Sequence, residues 1–385
     1  MPEKLDVIVL GLGGMGSAAA CHLANRGHRV LGLEQFTSPH DRGSSHGQTR
    51  VIRQAYFESP AYVPLLFRAY ELWRELERAW SRSLFNLCGG LMLGPPGSRV
   101  VEGSTRSAVE HGLPHQLLDA GEIRRRFPPI HPPPGTVALF EQNAGYIFPE
   151  ASVKAHLDCA RELGAKLQFE EAVLDWEAAS GGTRVRVRTS RGQYEAQRLV
   201  ITAGPWAGQI MSGLRLPLEI ERAVLYWFEP HGGIEPFLPE RFPIFISESE
   251  DGLLPYGIPA VGGAGGGVKV SFYHAPDPAV IETPASIQRS VTEEETERMH
   301  QHIERLIPAL RGPLVRSTVC MYTNTPDKNF LIDLHPAFPQ VSIAAGFSGH
   351  GFKFCSVVGE ILADLAESGE TRHDLQPLRL GRFHS

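Results

Sequence analysis

Cysteine is scarce in this chain: five in 385 residues (Cys21, Cys88, Cys159, Cys320 and Cys355), with no CxxC pair. That excludes a disulfide-built scaffold and a zinc ribbon, and it suits the reducing cytoplasm, where the chain is expected to reside. Positive charge is not in excess either. Thirty-seven basic residues stand against 43 acidic ones, a formal net charge of −6, whereas a duplex-binding protein would carry a basic stripe. No nucleic-acid partner is expected. No apolar run reaches the roughly 18 residues of a membrane span, so no membrane partner is expected. The 16 histidines form no HExxH or other ligand pattern, and no GxSxG elbow is present; no metal is assigned and Ser-His-Asp hydrolysis is not indicated. The apolar stretch after Lys4 imitates a secretory leader, but Gly11, Gly13, Gly14 and Gly16 interrupt it and a second strand follows, so it reads as structure.

What is present is an ordinary globular composition, 42% hydrophobic and 21% charged, with length for two to three domains at roughly 150 residues each. Residues 5–10 (LDVIVL) read as a buried strand, 17–26 as a helix and 28–34 (HRVLGLE) as a second strand, which makes a βαβ unit. The polar stretch TSPHDRGSSHGQTR after Phe36 suits a loop that holds something. Residues 62–78 read as an amphipathic helix, 151–164 as another, and 184–187 with 194–201 as a strand pair. The cluster GGAGGG at 262–267 separates two strand-like segments. Thr292 and Glu295 form a capping box for a helix running to about Ile307, and strand 341–346 precedes a glycine turn and a helix from Val357 to Glu367. Strands and helices alternate at both ends around a β-richer middle, which predicts an α/β domain interrupted by another.

Gly11-x-Gly13-x-x-Gly16 follows the first strand and opens the first helix, with Gly14 and Met15 inside the turn, and Glu34 ends the second strand. Gly11 allows the tight turn, Gly13 admits a pyrophosphate to the backbone, and Gly16 lets helix and strand pack closely. Free N–H groups and the positive end of the helix dipole then face the anion. Glu34 is placed to accept hydrogen bonds from the adenosine ribose. The fingerprint alone does not divide NAD from FAD. A second glycine turn at Ala203-Gly204 and a third at 346–351, with Gly349, His350 and Gly351, favour FAD, a long ligand often held by distant segments.

With these strings in view, the chain resembles the monomeric sarcosine oxidases, FAD-dependent amine oxidases related to N-methyltryptophan and pipecolate oxidases. The resemblance covers nearly the whole chain and is strongest at VIVLGLGGMGSAA, SSHGQTRVIRQAY, CMYTNTPDKNFLIDLHP and AAGFSGHGFKF. It implies an α/β (α+β overall) fold: a discontinuous Rossmann-like FAD-binding domain (1–86, 147–215 and 325–372) and a catalytic domain on a mainly antiparallel sheet (87–146, 216–324 and 373–385). It also implies that Cys320 is joined covalently to the flavin 8α-methyl carbon. Arg50, beside His46, would pack on the flavin ring, while Arg53 and Lys353 would hold a substrate carboxylate; guanidinium suits that task through paired hydrogen bonds. Lys269 would sit near flavin N5 and promote reaction with oxygen by stabilising developing negative charge. Tyr256 and Tyr322 would line the substrate pocket, with Glu58 near its entrance.

One departure stands out. The family histidine follows the lysine by four residues, whereas His274 follows Lys269 by five. Alternation along a strand puts residues five apart on opposite faces, so either a bulge restores His274 or Tyr273 faces the substrate. The resemblance implies oxidative demethylation of sarcosine with O2 and water to glycine, formaldehyde and hydrogen peroxide, by a monomer. The rival readings are oxidation of pipecolate, N-methyltryptophan or a proline-like imino acid, a dehydrogenase using another acceptor, and a non-catalytic FAD-binding sensor.

Overall fold

The computed structural model describes residues 4–179, 182–263, 265–276 and 280–383. The first strand, Leu5–Leu10, is buried from Val7 onward and runs parallel to both Val30–Leu33 and Gln193–Ile201. Such burial on two faces explains why it is written as an unbroken apolar run. Lys166–Gln168 extends the sheet beyond Val30–Leu33, also in parallel. Gln193–Ile201 meets Val185–Thr189 antiparallel along its first half and Phe338–Ala345 parallel along its last residues. With Val173–Ala178 and Leu331–His335 the sheet has eight strands. Helices Gly14–Asn25 and Cys355–Ser368 pack together beside it, their contact made close by Gly359, where a Cβ would sit 2.6 Å from the Ala18 backbone.

The second sheet has nine strands. Its spine is Glu219–Phe228, paired antiparallel with Leu314–Asn324 along one edge and with Val268–Phe272 on the other. Gly90–Gly94 lies parallel to Ile244–Ser247, so the sheet is mixed rather than purely antiparallel: the chain reaches that position twice by separate crossovers. A small third sheet joins Arg50–Ile52, Gly145–Ile147 and Phe85–Asn86. Among the described residues no helix is long and apolar enough to cross a membrane.

Two details stand apart from the sequence reading. Residues 373–383 pack on the eight-stranded sheet. There Leu380 joins the core with Ile8 and Leu10, its N–H donates to Asp333 (2.9 Å), and Arg379 pairs with Asp333 at 2.7 Å. The helix capped by Thr292 ends at Ile303 rather than near Ile307, because Pro308 forces the residue before it out of the helical region (φ −136°, ψ 82°). Within GGAGGG, Ala264 lies outside the described residues.

Strand and helix meet at Gly16, where a Cβ would lie 1.7 Å from the Gly11 carbonyl oxygen and 2.5 Å from Thr202 Oγ1. Neither neighbour is a yielding side-chain tip. Gly16→Ala is expected to lower unfolding stability by about 1–3 kcal/mol or more through forced displacement of the helix. Gly192→Ala, where an added Cβ meets nothing, should stay within about 0.5 kcal/mol. Urea unfolding midpoints of the two variants check this.

Candidate active site

A cavity of about 380 Å³ runs from Glu34 past the Gly11–Met15 turn and Thr202–Trp206 to Tyr322 and Gly349. At Gly13 it meets the N-terminus of helix Gly14–Asn25, which has neither a side-chain cap nor an acidic residue in its first turn. That leaves the helix N-terminus ready for an anion. Ser45, from the polar loop, approaches the same turn and accepts from the Gly14 N–H at 3.0 Å. A Cβ on Gly14 would meet Cys355 Sγ at 2.6 Å, so the turn is bare for want of room. The Glu34 carboxylate is buried and fixed by the N–H groups of Leu12 (2.9 Å) and Phe36 (3.1 Å). The fit to a dinucleotide is good along this length: bare backbone for the pyrophosphate and an oriented acid at the far end.

Beside this cavity four cations are gathered: Arg50, Arg53, Lys269 and Lys353. Arg50 leaves its short strand to place Nη2 3.3 Å from Cys320 Sγ and 3.2 Å from the Ser44 carbonyl. Cys320 is fully buried on Leu314–Asn324. Burial alone would push its thiol up, but Arg50, reinforced by His46 and Lys269, outweighs it and holds the thiol at about 6. Lys269 is buried on Val268–Phe272 and donates to the carbonyls of Gly47 (2.9 Å) and Thr49 (2.6 Å). Burial, with Arg50 close by, draws its pKa well below the ordinary lysine value. The loop supplying those carbonyls is itself pinned, since Glu150 accepts from the N–H groups of Gly47 (2.7 Å) and Gln48 (3.0 Å).

A second, smaller cavity, about 50 Å³, opens beside the first; Arg50, Tyr322 and Gly349 line both. Arg53, Tyr256, Tyr273, His350 and Lys353 complete its polar wall. Arg53 is 1% exposed and forks onto both oxygens of Glu58 at 2.7 Å, while its Nε has no protein partner. Burial would raise the Glu58 carboxyl, yet Arg53, His350 and Lys353 hold it at about 2. Lys353 donates to the His350 carbonyl at 2.6 Å, and burial together with Arg53 lowers it to about 7.

The residues named from the sequence therefore fall into two groups that share a junction, and His274 belongs to neither. Pairing of Val268–Phe272 with both neighbours runs without a register shift, and Tyr273 N–H continues it to the Leu254 carbonyl (2.9 Å). No bulge restores the histidine. Tyr273, four residues after Lys269, lines the small cavity and donates to Glu58 at 2.9 Å. His274 turns away to Glu221 (2.7 Å), which Asn324 also engages (2.6 Å).

Sequence reasoning missed several members. Tyr56 donates to His350 Nδ1, whose Nε2 faces the Lys328 carbonyl at 2.9 Å. Burial lowers His350 to about 4, so the ring is neutral with its proton on Nε2. Glu141 accepts from the N–H groups of Gln54 and Ala55, just after Arg53. Tyr56 ends the string SSHGQTRVIRQAY and was legible there; Glu141, 86 positions from Ala55, carried no signal.

Comparison with known proteins accords with this geometry. The chain is 52% identical to the monomeric sarcosine oxidase of Streptomyces avermitilis over 376 residues, 97% of each chain. It is 34% identical to an N-methyl-L-tryptophan oxidase of Yersinia pestis, over 98% of this chain and 99% of the other. Among solved structures it is similar to L-proline dehydrogenase from P. horikoshii, with TM-score 0.84 and 25% identity over 100% of this chain and 99% of that one. The family described as FAD dependent oxidoreductase matches residues 6–365, and the chain belongs to that family.

Proposed function

We propose that the protein is a sarcosine oxidase: with O2 and water it converts N-methylglycine to glycine, formaldehyde and hydrogen peroxide. The observation that carries this reading is a pair of buried cations, Arg53 and Lys353, in a cavity of only about 50 Å³ that opens onto the dinucleotide cavity. Such a space holds a few water-sized groups. It suits a small amino acid carboxylate, and the higher identity to a monomeric sarcosine oxidase (52%) than to an N-methyl-L-tryptophan oxidase (34%) ranks sarcosine above N-methyltryptophan. Pipecolate and proline-like imino acids stand between these in size.

FAD, when bound, would supply the redox chemistry, a two-electron oxidation of the substrate amine with oxygen as the final acceptor. The chain supplies position and charge. Arg53 keeps its fork on Glu58 and offers Nε to the incoming carboxylate, with Lys353 as the second cation. Tyr256, Tyr273 and Tyr322 exclude water around the amine. Lys269, tied to two carbonyls, holds its amine where oxygen gains electrons, and in its protonated form it stabilises the negative charge that develops there. Gly11, Gly13, Gly14, Met15, Glu34, Gly204, Gly349, His350 and Gly351 hold the cofactor; Arg50 and His46 keep Cys320 reactive toward the flavin 8α-methyl carbon. The thiolate is the form that makes such a bond. We assign the eight-stranded sheet to a discontinuous FAD domain and the nine-stranded sheet to a catalytic domain. The reading includes a monomer in the cytoplasm, supported by the low cysteine content and by the name of the Streptomyces relative.

Three measurements test this. Sarcosine added anaerobically should bleach the flavin band, and air should restore it with one peroxide per sarcosine; a yellow protein that does not bleach would remove sarcosine as substrate. Acid precipitation should leave the yellow colour in the pellet of the native protein, whereas Cys320→Ser releases FAD to the supernatant. The third concerns pH. Lys353 has a free-state value of about 7, and pairing with a carboxylate raises it. Binding is therefore at full strength below about pH 7 and weakens as pH rises through 7 toward the bound-state value. Propionate, followed by its perturbation of the flavin spectrum, should bind roughly tenfold more weakly at pH 8.5 than at pH 6. In Lys353→Met that slope should vanish.

A further inference from the structure

Two of the five cysteines lie far from the catalytic junction and face each other. Cys21 sits on helix Gly14–Asn25 and Cys159 on helix Pro149–Glu162, 138 positions apart in sequence, with Sγ atoms 2.6 Å apart. An S–S bond measures about 2.05 Å, so the pair needs little movement to close. Cys21 is 8% exposed, whereas Cys159 is only half-buried. The two positions are thus unequal: Cys159 is the one a small solute reaches first. The S–H of Cys21 donates toward the Cys159 sulfur, which lowers the Cys159 thiol from its ordinary value and favours the nucleophilic thiolate there.

We propose that Cys21 and Cys159 are a modification site, a dithiol that hydrogen peroxide oxidises to a disulfide. Cys159 attacks peroxide, breaking its O–O bond and releasing one water to give the sulfenic acid. Cys21 then attacks that sulfur, forming the S–S bond, and its proton leaves with the displaced hydroxide as a second water. Two thiols and one peroxide become one disulfide and two waters. The oxidant is the product of the proposed reaction, so the supply of peroxide in situ rests on that reading, whereas the chemistry of the pair does not. The bond would tie together two helices that both serve the site. One presents its N-terminus to the dinucleotide cavity; the other carries Glu150, which holds the Gly47–Gln48 backbone ahead of Arg50.

The test begins with holoenzyme reduced, freed of reductant and treated with hydrogen peroxide, then alkylated and digested with trypsin. Residues 5–26 and 155–161 are the tryptic peptides carrying the two cysteines. They should appear linked, two hydrogens lighter than their sum. The linked peptide should be absent in Cys159→Ser. Cys21→Ser should instead trap a dimedone adduct on Cys159. The oxidised native protein should melt about 5 °C above its own reduced form, because a long loop of the unfolded chain is closed; this comparison needs no variant. If Cys21 and Cys159 are both alkylated in full after peroxide treatment, the proposal fails. A parallel incubation with sarcosine in air should give the same link, and catalase should suppress it. Linking by added peroxide with no peroxide produced from sarcosine would remove the functional reading and leave the cysteine site standing.

Discussion

Arg50, Arg53, Lys269 and Lys353 share one junction beside the large cavity, and their charges must be held there with little water. Removing a cation from water is expensive unless acceptors replace the lost hydration. The chain meets that demand in two ways. Around Arg50 and Lys269 it uses backbone carbonyls of one loop, from Ser44, Gly47 and Thr49. Around Arg53 and Lys353 it uses one carboxylate, Glu58, and the carbonyls of Ala55 and His350. The unusual backbone of the loop, with positive φ at Gly47 and Gln48, follows from turning its oxygens toward the ammonium and its N–H groups toward Glu150. Cys320 benefits from the same charges, since a thiolate is stabilised where cations would otherwise be short of partners.

Legibility in the sequence followed locality. Strand, glycine turn, helix and acid lie within thirty residues, so the dinucleotide cradle could be read from spacing and from the steric freedom that each glycine supplies. Arg50 and Arg53 stood out within one string, and Lys353 by its unlikely setting between two phenylalanines. What stayed hidden depends on distant segments meeting. Ser45 over the Gly14 N–H, Glu141 beneath Gln54 and Ala55, and the contact of Cys21 with Cys159 have no periodicity to betray them. The tail 373–383 carries no signal of its place because a short run of 3-10 turns has no hydrophobic period; its position is decided by Asp327 and Asp333, which take Arg382 and Arg379.

Tyr273 and His274 show how one residue of register redistributes chemistry. On an uninterrupted ladder, the side chain four positions after Lys269 shares its face and the one five positions after does not. The tyrosine therefore meets Glu58, while the histidine joins a separate polar group with Glu221 and Asn324. The small cavity gains a neutral donor where an imidazole would have brought a titrating one.

The eight-stranded sheet places Phe338–Ala345 directly against Gln193–Ile201, and the cavity wall beyond it is made by Gly346–Gly351. Two of the walls of the cofactor cavity are thus encoded more than three hundred positions apart, at Gly11–Met15 and near residue 350. During synthesis the βαβ unit precedes this far wall by more than three hundred residues, and its cavity stays open on one side until that wall has been made. Contacts of such long sequence separation form slowly. Assembly of the holoenzyme is accordingly a late event in the life of the nascent chain, and the early glycine turn must wait, exposed, for its partner strand.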